Sequence, residues 1–201
     1  MSYLAYCGIG SRETPAHILT IMHHIGAYLC CEGWTLRSGG AQGADQAFEA
    51  GADQQEGYTL SADTLPKKEI YIPWKGFNNS TSQLHPENVP FNQTEIELAA
   101  RFHPAWYRCS PSAKRMHTRN VRQILGSEYV NGPTVTPVKF VVCWTEGGLM
   151  KGGTSQALRI AQSCDIPIFN LGVPTVPETL EAMVMGIDSF QKKFKSEPVA
   201  A

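Results

Sequence analysis

The stretch Trp34-Thr35-Leu36-Arg37-Ser38-Gly39-Gly40-Ala41-Gln42-Gly43-Ala44-Asp45 decides the fold. A short run of strand type, Trp34 to Arg37, enters a glycine cluster, and a helical pattern over Ala44–Ala50 follows, which Gly51 is expected to end. Glycine has no Cβ, so the chain can turn sharply there and bring backbone N–H groups close to a ligand. Strand, glycine turn and helix form the repeating unit of an α/β fold.

The unit occurs on both sides of this stretch. Upstream, Tyr3–Cys7 is an apolar run that stops at Gly8-Ile9-Gly10. Thr14 suits a helix N-cap and Pro15 the first helical position. Ile18, Ile21, Met22, Ile25 and Leu29 follow at helical spacing, up to Gly33. Downstream, Glu69–Ile72 reads as a third strand, stopped by Pro73. Val138–Trp144 is a strongly apolar strand, and Glu146–Thr154 a third glycine-rich turn. Ser155–Ser163 reads as a helix, Ile166–Leu171 as a strand and Pro177–Met185 as a last helix.

Unbroken apolar strands separated by helices indicate a parallel sheet covered on both faces. The expected fold is α/β: a doubly wound, mainly parallel Rossmann-like sheet in a single domain over residues 1–195. A loop-rich helical excursion interrupts it at about 74–137, with helices expected at Gln93–Phe102 and, N-capped by Ser110, at Pro111–Leu125.

Composition narrows the function. A chain of 201 residues, 42% hydrophobic and 17% charged, can bury one core. A net charge of −1 gives no whole-chain pull toward nucleic acid or a membrane. No apolar run approaches the roughly 20 residues that span a bilayer, and no basic segment leads into an apolar run at the N-terminus. A cytoplasmic protein with no membrane partner is expected. The six cysteines form no C-x-x-C pair and are expected as buried or half-buried free thiols. His23 and His24 are adjacent on a helix and point apart, and H-E-x-x-H is absent. The pattern therefore indicates no metal site and no cofactor.

The three glycine clusters fall at the carboxyl ends of strands, where ligands bind in open parallel sheets. The helix that follows each turn supplies free N–H groups and about half a positive charge, which favour an anion. The candidate phosphate-binding residues are accordingly Gly8, Gly10, Ser11 and Arg12 in the first turn, and Ser38, Gly39, Gly40, Gly43 and Asp45 in the second. Gly152, Gly153 and Thr154 supply the third. Arg115, Arg119 and Arg122 lie at i, i+4 and i+7, one face of the expected helix, with Arg108, Lys114 and His117 nearby. This face reads either as solvated charge or as an anion-binding surface. Arg119 is the choice for a phosphate clamp, because guanidinium presents a bidentate fork. Arg115 and Asn120 join it as candidates, and Trp74, Trp106 and Tyr107 are candidates for stacking on a base.

Gly8-Ile9-Gly10-Ser11-Arg12 resembles the G-S-R opening of the DNA-processing protein A (DprA/Smf) family. Ser38–Asp45 resembles that family's S-G-x-A-x-G-x-D turn, and Arg119–Leu125 its R-N-R-I-I-A segment. Gly153–Ala161 with Ile166–Leu171 resembles its last nucleotide-facing helix and strand. The wider group is the SLOG superfamily of Rossmann-like proteins, which includes nucleotide-signal sensors of bacterial and phage defence and the cytokinin-activating phosphoribohydrolases (LOG). Met116–Asn120 resembles the LOG segment M-H-x-R-K, and Gly152-Gly153-Thr154 the end of P-G-G-x-G-T-x-x-E. At the position of that motif's catalytic glutamate this chain has Ala157.

Three functions follow from the resemblance. The first is binding of a phosphorylated nucleotide or nucleotide-derived signal, as a sensor or sequestering module. The second is LOG-like cleavage of a nucleoside monophosphate at its N-glycosidic bond, for which Arg119, Glu146 and Asp45 are the catalytic candidates in place of the missing glutamate. The third is DprA-like binding of single-stranded DNA in recombination, which a basic helix would serve. The absent glutamate and the neutral charge balance favour the first. A homo-oligomer is expected.

Overall fold

The computed structural model describes residues 3–54, 68–132 and 136–173. Five strands form one sheet: β1 (Ala5–Gly10), β2 (Thr35–Ser38), β3 (Lys68–Ile70), β4 (Val141–Trp144) and β5 (Ile168–Asn170). Their order is β3-β2-β1-β4-β5, and every described pairing is parallel. The helices are α1 (Ala16–Cys31), α2 (Ala44–Gln54), α3 (Gln93–Arg101), α4 (Pro111–Leu125), α5 (Glu128–Asn131) and α6 (Thr154–Ser163).

Strand residues alternate between two cores because successive side chains leave opposite faces of a strand. Tyr6, Leu36 and Val142 point toward α1 and α2, where they join Ile18, Met22, Leu29 and Phe48. Ala5, Cys7, Ile9, Val141 and Cys143 point the other way and meet Ala99, Val121, Ile124, Leu158 and Ile160 of α3, α4 and α6. Helices thus cover both faces, and the doubly wound α/β arrangement is the fold.

Several glycines serve packing rather than turning. Gly8-Ile9-Gly10 is the end of β1 and not a turn. A Cβ on Gly8 would stand 2.6 Å from Cγ of Phe48, and one on Gly10 would stand 2.5 Å from Cβ of Ala44. Both glycines let α2 press onto the sheet, as close helix–strand packing requires. Gly51 does not end α2 but lies inside it. A Cβ there would stand 2.0 Å from the His23 carbonyl oxygen, while one on Gly26 would stand 2.5 Å from that of Phe48. The pair therefore marks a close crossing of α1 and α2.

Other boundaries shift by a few residues. Pro15 occupies the N-cap of α1, and the Thr14 hydroxyl donates to the Ser11 carbonyl at 2.7 Å instead of capping the helix. β3, β4 and β5 are each shorter than their apolar runs, although the ladder continues past β3 where Tyr71 N–H donates to the Ser38 carbonyl at 2.9 Å. The helices of the excursion start at side-chain caps. Asn92 and Glu95 form a reciprocal capping box on α3, and Ser110 Oγ accepts the Ala113 N–H on α4. The expected helix Pro177–Met185 lies outside the described residues.

All six cysteines stand outside disulfides, but Cys31 and Cys164 are exposed, against the expectation of buried or half-buried thiols. Each sits at the end of its helix, where the apolar pattern no longer requires the inner face. No described helix is long and apolar enough to cross a membrane.

Candidate functional site

The strand order reverses between β1 and β4, and a cleft of about 410 Å³ opens there. Its size lies within the range of small-molecule sites. Gly10 and the following Ser11, Arg12 and Glu13 form one wall. Ala41 contributes from the turn before α2, Asp45 from the first turn of α2, and Phe77 from the loop after β3. Met116, His117, Arg119, Asn120 and Gln123 face it from α4. Lys151, Gly152, Gly153 and Thr154 bring the N-terminus of α6 to the opposite side.

Arg119 stands at the bottom of this cleft, with only 8% of its surface exposed. Its guanidinium carbon lies 5.7 Å from the centre of the Phe77 ring, and Nη1 lies 3.7 Å from Asp45 Oδ2. That separation is an ion pair but exceeds hydrogen-bond reach. Nε and Nη1 are buried without a hydrogen-bond partner, and so is Nε2 of Gln123, one turn along α4. Gly39 makes room for this guanidinium, since a Cβ there would stand 1.3 Å from Nη1.

Asp45 holds the turn beneath. It accepts the N–H groups of Gly10 at 3.3 Å, Gly39 at 3.2 Å and Ala41 at 3.2 Å. Burial raises its carboxyl above the ordinary aspartate value, against the opposing pull of Arg119 and the backbone donors. Burial likewise lowers the Arg119 guanidinium despite the nearby Asp45. Both shifts run toward the neutral forms, so the desolvation cost of the pair exceeds its attraction.

The remaining expected site residues divide into cleft and scaffold. Asn120 lines the cleft, but its amide is occupied: Nδ2 donates to the Gly153 carbonyl at 3.3 Å and to Gln156 Oε1 at 2.9 Å. It ties α4 to the start of α6. Ser38 is fully buried, and its hydroxyl donates to the Gly8 carbonyl at 2.6 Å, which locks β2 to β1. Gly40, at φ +63°, turns the chain beside Ile72, and Gly43, at φ +84°, lies against the backbone of Ser11 and Arg12. Neither these two glycines nor Gly8 and Gly39 are cleft-lining residues. Gly152 does line it, at φ +68°, a conformation that glycine adopts readily.

The basic face of α4 is not a single surface. Arg115 is exposed and outside the cleft. Arg122 is 1% exposed. Its Nε and Nη2 bind the two carboxylate oxygens of Glu95 at 2.7 and 2.8 Å, while Nη1 and Nη2 donate to the carbonyls of Val89 and Pro90. It anchors the loop before α3 with four of its five N–H donors and does not line the cleft.

Trp74 packs edge-on against Phe77, Trp106 lies under Lys114, and Tyr107 is exposed beside Arg108. None of the three lines the cleft; its aromatic residue is Phe77. Glu146 is exposed on a short 3-10 turn, also outside it. Phe77, Gln123 and Lys151 were not legible as cleft residues. Gln123 carried a signal in its i+4 spacing from Arg119, and Lys151 in its place within the third glycine-rich turn.

No known protein family and no curated protein matches the chain. Among solved structures it is similar to DNA processing protein A from Helicobacter pylori, whose structure concerns its mode of binding single-stranded DNA. The two are 16% identical, with a TM-score of 0.41 over 84% of this chain and 65% of the other. The chain thus spans just under two thirds of that protein's length.

Proposed function

We propose that the cleft binds the phosphate of a nucleotide or a nucleotide-derived signal. The observation that carries this reading is Arg119, buried at the cleft floor with Nε and Nη1 unbonded. Buried donors are almost always partnered, so a group this costly to leave bare calls for an acceptor from outside the chain. Phosphate supplies oxygens in the geometry a guanidinium fork matches. Gln123 Nε2 adds a second buried donor, and the α6 N-terminus at Gly153-Thr154 adds partial positive charge. Arg12 and Lys151 stand exposed at the rim. Ile9, Phe77 and Met116 offer apolar surface suited to a base. This reading accords with the SLOG-like motifs of the sequence.

Cleavage of an N-glycosidic bond has less support. Ala157 lines the cleft where the LOG resemblance expects a glutamate. The carboxylates present are Glu13 and Asp45, and the oxygens of Asp45 already accept three backbone N–H groups.

A thermal-shift screen with inorganic phosphate and with mono-, di- and cyclic nucleotides tests the reading. At about 100 times its Kd a ligand adds about 2.7 kcal/mol of stability. For a chain of this length that is a rise in Tm of about 5–10 °C. No shift with any of these, or an equal shift in Arg119→Ala, would overturn it. Release of free base during incubation would move the assignment to hydrolysis.

A further inference from the structure

The connection between α3 and α4 brings His103 and Cys109 beside His117 of α4, three metal-ligating side chains that the sequence separates. One ligand atom from each lies within 4.8 Å of the other two. Cys109 Sγ stands 3.7 Å from His103 Nδ1 and 3.8 Å from Nε2. The two imidazole centres are 4.2 Å apart. A tetrahedral zinc ion, with Zn–S of about 2.3 Å and Zn–N of about 2.0–2.1 Å, holds its sulfur and nitrogen ligands about 3.6 Å apart. The Sγ–nitrogen distances are close to this value, and with all three ligand atoms within 4.8 Å of one another small side-chain rotations bring them onto one ion.

A partner already sets the tautomer of His117. The Gln156 amide is fixed by two contacts: its Nε2 donates to the Ala99 carbonyl at 2.9 Å, and its Oε1 accepts from Asn120 at 2.9 Å. Oε1 is therefore the atom facing His117 Nδ1, at 3.3 Å. Facing an acceptor, Nδ1 carries the proton, which leaves the Nε2 lone pair free. An outer partner that sets the tautomer of a histidine is the usual support of a metal ligand. At His103 an ion binding through Nδ1 has one contact to displace, the long 3.2 Å bond from Ala105 N–H. All three side chains are half-buried, so a hydrated ion can reach them.

We propose that His103, Cys109 and His117 form a site for a divalent cation of the zinc class, with a fourth position open to water or an exogenous ligand. Two imidazoles and a thiolate suit zinc and exclude the oxygen-seeking magnesium and calcium. Binding replaces the Cys109 thiol proton, which passes to solvent, by the metal. The ion would clasp the turn carrying His103 and Cys109 onto α4. The site shares His117 with the cleft wall but does not depend on what the cleft binds.

Cobalt(II) titration of the full chain, freed of metal by chelator, tests this. One equivalent per chain is expected, with a thiolate-to-cobalt absorption band that zinc abolishes by competition. Cys109→Ser should remove the band, while Cys31→Ser and Cys164→Ser, the exposed thiols, should leave it unchanged. Gln156→Ala should weaken binding about 10–100-fold. Far-UV circular dichroism of each metal-free variant controls for folding. In the wild type, zinc should protect Cys109 from alkylation and leave Cys31 and Cys164 reactive. Absence of the band at stoichiometric cobalt, its persistence in folded Cys109→Ser, or alkylation of Cys109 unaffected by zinc would each overturn the proposal.

Discussion

At the scale of single residues the site depends on a charge placed where solvation is poor. Arg119 is held by Gly39 beneath it, Phe77 beside it and Asp45 at 3.7 Å, yet two of its nitrogens remain unbonded. Arg119→Lys keeps the charge but loses the planar fork, so nucleotide affinity measured by titration should fall about tenfold or more, about 1.4 kcal/mol. Gly39→Ala should cause a similar loss, because its methyl group would occupy the position of Nη1. Retained affinity in both variants would remove Arg119 from the site. Burial also makes Asp45 a pH-sensitive element. Its folded-state pKa is raised, so its contribution to stability is present below the unfolded value of about 3.9 and is lost as pH rises through the folded value. Relative to Asp45→Asn, the wild type should therefore lose stability as pH increases from about 4, read from urea denaturation across that window. The opposite slope would mean that Arg119 and the three backbone donors outweigh burial.

At the scale of elements, close packing reverses ordinary helix rules. Glycine to alanine inside a helix usually stabilises by about 1 kcal/mol. At Gly51 the added methyl would stand 2.0 Å from the His23 carbonyl oxygen, where α1 crosses α2. Gly51→Ala should instead destabilise by about 1–3 kcal/mol, measured as a shift in denaturation midpoint. The α3–α4 side is held by polar contacts. Arg122 binds Glu95 and two carbonyls of the preceding loop. Arg122→Ala leaves Glu95 with an uncompensated buried charge and should cost about 3–5 kcal/mol. Since Arg122 does not line the cleft, nucleotide affinity in the folded fraction should be unchanged. Loss of affinity without loss of stability would return it to the binding surface.

At the scale of the whole molecule, charge decides between a small ligand and a polymer. The chain carries a net charge of −1, and the cations lining the cleft are Arg12, Arg119 and Lys151. A single strand neutralised by these three would show a slope of log affinity against log salt no steeper than about −2. Binding of an oligonucleotide at low salt should therefore be weak, and mononucleotide should compete with it. A steeper slope, measured by anisotropy, would indicate a longer basic track than this cleft provides.

The chain itself determined the layer architecture. Apolar runs of strand length alternate with helices, and only a parallel sheet covered on both faces buries them all. Local chemistry was equally legible in Ser110 and Pro111, which start α4 where a capping residue followed by proline should. Gly10, Gly152 and Gly153 line the cleft where β1 and β4 part, but the motifs did not show the work of each glycine. Gly8, Gly39 and Gly51 are required by a side chain or backbone from a distant segment, and no local pattern encodes that approach. The arginines divided for the same reason. Spacing of i, i+4 and i+7 aligned Arg115, Arg119 and Arg122 on one face, whereas their environments came from partners far along the chain. Solvent surrounds Arg115, the second glycine turn receives Arg119, and Glu95 with its loop encloses Arg122. Periodicity is a property of neighbours along the chain. Burial, pairing and the meeting of His103, Cys109 and His117 are set by contacts that only the packed tertiary structure creates.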